Sequence, residues 1–203
     1  VALLFLLILF SSVEAQRSKN YNLEEIAYKH AVNSFKEFYE LLSLSNDAHF
    51  PADIEKNIQW CETAFANRGF TTKRLSTPTV PLLLAERAAK NAKKTVLIYI
   101  QIDGQPVNPA QWEQESPWKP TLKEKDASGK WKAIAYERLY EDLNPDWRIF
   151  ARATSDAKGP AMAFLASLDA LKELKSEPNY NMKVIMDFEE ELGSPNLPAA
   201  VTK

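Results

Sequence analysis

The sequence has little of what marks several protein classes. A single cysteine among 203 residues, Cys61, rules out an internal disulfide. Lys and Arg (25) nearly balance Asp and Glu (27), for a formal charge of −2, so there is no basic footprint for nucleic acid. No repeat, heptad or Gly-rich linker interrupts the chain. The longest unbroken apolar run, Val1 to Phe10, falls short of the about 20 residues that a membrane-spanning helix needs. What remains is ordinary for a globular domain, with 45% hydrophobic and 26% charged residues and enough length for one sizeable core.

The start of the chain, "VALLFLLILFSSVEAQ", reads as the hydrophobic core of a secretory signal with a small-residue cleavage site before Gln16 and its basic leader missing. An uncleaved membrane anchor is the alternative. Residues 1–16 are therefore set apart as a signal peptide clipped at its start. Residues 17–203 are expected to work outside the cytoplasm, secreted or periplasmic.

Periodicity then gives the elements. Residues 22–44 form an amphipathic helix, with Ile26, Phe35, Phe38, Tyr39 and Leu42 near one face. Residues 53–67 form a second helix, stopped by Gly69. In it Ile54, Ile58, Cys61 and Phe65 recur at helical spacing, which makes Cys61 a small core filler rather than a nucleophile. "FTTKRLS" and "VPLLLAER" read as strands, and "KKTVLIYIQID" as a central strand buried on both faces. "DASGKW" reads as a hairpin turn and "AYERLYEDLNPDW" as an inserted surface segment. Pro160 opens an apolar helix, and "NMKVIMDF" is another buried strand. Helices alternating with buried strands predict an α/β fold, a sheet covered on both faces.

Acids gather where these strands end. Asp103 follows "LIYIQI", Asp156 precedes the Pro160 helix, and Glu189, Glu190 and Glu191 follow "NMKVIMDF". Ligand sites of open α/β sheets form at such strand ends, and converging carboxylates call for an offsetting positive charge, a divalent cation being the simplest. Each acid by itself reads first as a solvated loop charge or a helix cap.

Three stretches carry a family resemblance. "LIYIQIDGQP", "FARATSDAKGP" and "FEEELGSP" resemble, in order and spacing, the successive motifs "GHYDVQP", "GRGASDDKGP" and "GEEESGSP" of metallopeptidase family twenty. That family includes the cytosolic and carnosine dipeptidases, aminoacylase, acetylornithine deacetylase and succinyl-diaminopimelate desuccinylase. The resemblance runs from about Phe35 to the end and takes in "ELLSLSNDA", Trp112 and "SPWKP".

The resemblance implies a three-layer sandwich with a mostly parallel central sheet, the zinc-exopeptidase-like catalytic domain. The chain would be its N-terminal portion, with the inserted dimerisation domain and C-terminal half lying beyond it. Such a portion is expected to expose apolar surface and to be inactive alone.

The resemblance also implies roles. Asp156 matches the carboxylate bridging two zinc ions, Glu190 the general base, Glu191 a zinc ligand, and Asp103 the aspartate that orients a metal-bound histidine. Two zinc ions are implied, with manganese or cobalt as substitutes, and the substrate is a dipeptide or N-acyl amino acid. A homodimer would form through the inserted domain.

One position departs from the pattern. Gln101 stands where the family places a zinc-binding histidine, and the two histidines, His30 and His49, lie elsewhere as expected surface groups. Gln101 is either a weak oxygen ligand or a hydrogen-bonding group at the strand end. The alternative to a hydrolase is thus a catalytically silent relative that binds peptides or amino acids.

Overall fold

The computed structural model describes residues 22–202, so the Val1–Gln16 signal reading lies outside the described residues. Helix α1 spans Leu23–Leu42, capped by the Asn22 side chain, which accepts from the Glu25 N–H at 3.3 Å. Helix α2 spans Pro51–Ala66, with proline in its first turn. Its residues Ile54, Ile58, Cys61 and Phe65 are all buried, as their spacing predicts. Gly69, at φ +80°, follows the helix end, a backbone conformation that costs glycine nothing.

Strands β1 (Thr71–Leu75), β2 (Leu82–Arg87) and β3 (Thr95–Gln101) follow, then β4 (Thr121–Lys125), β5 (Trp131–Ala133) and β6 (Arg148–Phe150). Helix α3 spans Lys158–Glu173, starting two residues before the expected Pro160. Strand β7 (Asn181–Asp187) and the short α4 (Leu197–Val201) complete the described chain.

The main sheet has the order β1-β2-β7-β3. The α/β class stands, but the strand directions differ from a mostly parallel sheet. The pairs β1/β2 and β2/β7 are antiparallel, and β3/β7 is the one parallel pair among the described strands. The central place belongs to β7, where Val184 and Met186 are wholly buried and Ile185 nearly so. Among the described strands the expected central strand, β3, lies at the edge, with Leu97 62% and Tyr99 44% exposed. An unbroken apolar run records two apolar faces without saying whether neighbours cover both.

One face of the sheet is covered by α1, α2 and α3. Phe38, Ile58, Phe65 and Leu165 meet Leu83, Ile100, Val184 and Met186 in the main core. Burying each large apolar side chain there stabilises by roughly 1.5–3 kcal/mol. The other face carries a smaller cluster, Leu82 and Ile185 under Ala200 and Leu197. Of the three expected layers, two are therefore developed among the described residues, and α4 alone supplies the third. Arg68 ties the helices together, bonding Glu37 of α1 and Asp169 of α3 at 2.7–3.1 Å.

A second sheet, β5-β4-β6, is antiparallel and small. Its hairpin closes at Asp126–Lys130, as "DASGKW" predicts, with Gly129 at φ +79°. The segment expected at the surface is partly inward. Leu139 and Trp147 are buried against Leu122, and the Tyr136 hydroxyl donates to the Phe35 carbonyl at 3.1 Å. Its polar residues mask apolar anchors spaced too irregularly to show a period.

Candidate active site at the ends of two parallel strands

Because β3 and β7 run parallel, with Gln101 opposite Asp187, both strands deliver their carboxyl ends to one edge. The Ile102 N–H donates to the Asp187 carbonyl at 2.9 Å and extends that pairing one step. Asn46 then fixes the turn after β3. Its side-chain N–H donates to the Ile102 carbonyl at 2.8 Å, and its own carbonyl accepts from the Gly104 N–H at 2.9 Å. A Cβ on Gly104 would sit 3.0 Å from the Asn46 Nδ2 and 3.2 Å from the Arg152 Cδ, so a side chain there would push these neighbours by a few tenths of an ångström.

Asp103 is fully buried beneath this turn. Its Oδ2 accepts from the Glu191 N–H at 3.0 Å, while Oδ1 is buried with no hydrogen-bond partner among the described residues. Burial pushes the Asp103 carboxyl up to about 7. The backbone N–H groups of Glu191 and Glu190 oppose that rise, and the Asp187 charge adds to it.

After β7 the three consecutive glutamates separate. Glu189 is buried, and its Oε2 accepts from the Thr79 hydroxyl and the Asn196 amide, each at 2.7 Å. It is a scaffold acid. Glu190, Glu191 and Leu192 make a tight 3-10 turn closed by Gly193 at φ +87°. Glu190 is held above the usual carboxylate range, first by burial, then by the charges of Glu191, Asp156 and Asp187; the Gln101 amide acts against the rise. Glu191 meets a side chain that sequence reasoning missed. Gln105 donates its amide N–H to the Glu191 Oε2 at 2.5 Å. Its place in the Gly-Gln-Pro turn was the available signal.

The second motif supplies Asp156, exposed on the loop before α3, where the Asp156–Ala157 peptide bond is cis. Lys158 is wholly buried and anchors that loop to α1. Its ammonium donates to the carbonyls of Leu41 and Leu44 at 2.8 and 2.7 Å, at the C-terminal end of α1, where a cation is favoured. Burial pulls Lys158 down to about 7. This role, too, was missed, since a lysine in a polar loop carries no burial signal. Gln101 reaches across to this loop, its Nε2 donating to the Asp156 Oδ1 at 2.8 Å.

The structure thus brings Gln101, Asp156 and Glu190 together and sets Glu191 beside Asp103 and Gln105. His30 and His49 stay away from the site, bonded to Glu173 and Asp47. These donors do not fit two zinc ions. Among the described residues no three His, Cys, Asp or Glu side chains are grouped to hold a metal ion. The residue at the histidine position points an amide N–H, not a lone pair, at the carboxylate expected to bridge. No described helix is long and apolar enough to cross a membrane.

An α/β sheet with acids near its parallel strand ends is also the plan of solved peptidase catalytic domains. The relatives narrow the class. No family model matches the chain. The human Beta-Ala-His dipeptidase is 27% identical over 128 residues, which is 63% of this chain and 21% of that protein. The Cys-Gly metallodipeptidase dug1 of Schizosaccharomyces pombe is 28% identical over 120 residues, 59% of this chain and 21% of that protein.

Among solved structures, human carnosine dipeptidase 1 superposes with a TM-score of 0.67 at 20% identity, covering 88% of this chain and 37% of that one. An M20 family metallo-carboxypeptidase, Sso-CP2 from Sulfolobus solfataricus, superposes at 0.62 with 28% identity, covering 82% of this chain and 33% of that one. The chain is thus similar, over part of their length, to peptidases of the M20 family, metallopeptidase family twenty. The chain spans about a fifth of the length of the curated relatives it matches.

Proposed function

We propose that the protein to which this chain belongs hydrolyses the amide bond of a dipeptide or an N-acyl amino acid, with Glu190 as general base. One observation carries the reading. Glu190 stands half-buried at the common end of β3 and β7, with its proton affinity raised by burial and by the charges of Glu191, Asp156 and Asp187. In the step, Glu190 takes a proton from water as the water oxygen bonds to the substrate carbonyl carbon. The carbon–nitrogen bond then breaks, and the leaving amine takes that proton.

In this family a divalent metal, commonly zinc, supplies Lewis acidity. The donors described above do not fit a zinc pair, so the metal roles implied for Asp156 and Glu191 enter no step here. Asp103 serves as the positioning acid, holding the Glu191 backbone and with it the turn that presents Glu190. A work site outside the cytoplasm and a homodimer through another domain belong to the same proposal, resting on the Val1–Gln16 pattern and on the resemblance.

A second reading is favoured by one contact. With Gln101 bonded to Asp156 where an imidazole is expected, the protein would bind peptides or amino acids without cleaving them. The test is amine release by the full-length protein from β-Ala-His, Cys-Gly and N-acetyl amino acids, with zinc, manganese or cobalt added. Hydrolysis is expected, and Glu190→Gln is expected to lower kcat by about 10²–10⁴-fold. Binding of these compounds with no product after long incubation would leave the second reading standing and end the first.

A further inference from the structure

The residue at the end of β3 points beyond that reading. Two carboxylates that the family resemblance assigns to metal are each bonded to a glutamine amide. Gln101 Nε2 donates to Asp156 Oδ1 at 2.8 Å, and Gln105 Nε2 donates to Glu191 Oε2 at 2.5 Å. Both donors come from one stretch, "QIDGQ", at i and i+4 across the β3 turn. A carboxylate oxygen that accepts an amide N–H is satisfied by a neutral donor, and that donor occupies the direction from which a cation would approach.

The residue between the two glutamines agrees. Asp103 is buried, and its Oδ1 has no partner among the described residues. An acid whose place is to hold a metal-bound imidazole would present that oxygen to the ring N–H. Here there is no imidazole at residue 101 to receive it.

We infer that Gln101 and Gln105 form an amide clamp that holds the Asp156 and Glu191 carboxylates in place of a zinc pair, and that Gln101 is the residue that sets the metal preference of the site. An all-oxygen set of two carboxylates and an amide carbonyl suits zinc less well than one with imidazole, because zinc favours nitrogen and sulfur donors. The inference rests on the reading of Asp156 and Glu191 as the acids of the site, and it holds whether or not the protein cleaves amides.

The test is zinc stoichiometry of the full-length protein, stripped with chelator, exposed to micromolar zinc, desalted and analysed for metal. The wild type is expected to retain less than one equivalent. Gln101→His is expected to gain zinc affinity by roughly 10-fold or more, since even residues that only orient a ligand change affinity 10–100-fold. Calorimetric titration reads that gain, and far-UV circular dichroism checks that the variant is folded. Two equivalents retained by the wild type would overturn the clamp without needing the variant, as would a folded Gln101→His with unchanged affinity. An amine-release assay on the same samples separates the two proposals. Less than one zinc with no hydrolysis keeps the clamp and ends the hydrolase reading, whereas two zinc ions with hydrolysis does the reverse.

Discussion

The two faces of the main sheet are built from the same strands and differ in what they meet. On the helix-covered face, alternate residues of β2, β3 and β7 sink into one core with α1, α2 and α3. On the opposite face the next residues along meet α4 near β2, and on β3 they are largely exposed, with the Tyr99 hydroxyl donating to Asp187 at 3.2 Å. Leu97 and Tyr99 are exposed there, one residue from the nearly buried Ile100. Side chains alternate across a strand, so a run such as "VLIYI" can be fully apolar and yet half its residues contribute little burial. A sheet face gains stability from what covers it, not from its own composition.

That contrast can be tested by substitution, and the largest effect is expected on the covered face. Met186→Ala removes a wholly buried side chain from the core and should cost about 2–5 kcal/mol in urea unfolding. An m-value unchanged from the wild type would show that the loss is one of stability alone.

Next comes a packing test on the same side. A Cβ on Gly159 would lie 2.3 Å from the Thr154 carbonyl oxygen, so Gly159→Ala must push backbone apart where α3 begins. The expected cost is about 1–3 kcal/mol in the same assay. Leu97→Ala, on the open face, should change stability by less than about 0.5 kcal/mol. A loss matching that of Met186→Ala would mean that Leu97 is covered in solution and that the faces are alike.

The smallest effect concerns Cys61, deep under the covered face. Burial pushes its thiol from the ordinary 9.0 up to about 12. The native thiol therefore keeps its proton while the unfolded chain loses its own, so this group's stabilisation is present below pH 9 and declines as pH rises from about 9 to about 12. At pH 8 iodoacetamide should leave Cys61 unmodified in the native protein and label it on unfolding in urea, as read by mass. Labelling at native conditions would place a gap in the covered face.

Much of this was legible in the residues. The period of Ile54, Ile58, Cys61 and Phe65 located the buried face of α2, because a single surface meets that helix. The motif order placed Asp103 and the glutamates at strand ends and Asp156 before a helix, and the parallel pairing of β3 with β7 carries those two strand ends to one edge. The edge position of β3 was hidden, because strand neighbours are not encoded in a strand's own pattern. The burial of Glu189 was hidden as well, for its bond to Thr79 spans 110 residues of sequence. Gln101 was legible as a departure from the motif. Its bond to Asp156 was not, because a side-chain contact across 55 residues follows from the fold.

The most direct measurement is anomalous diffraction at the zinc edge from crystals of the full-length protein grown with zinc. The expected result is Gln101 Nε2 within hydrogen-bond distance of Asp156 Oδ1 and no anomalous peak between them. A zinc peak bridged by Asp156, with the Gln101 amide turned away or bound through its oxygen, would contradict the clamp at the site's centre.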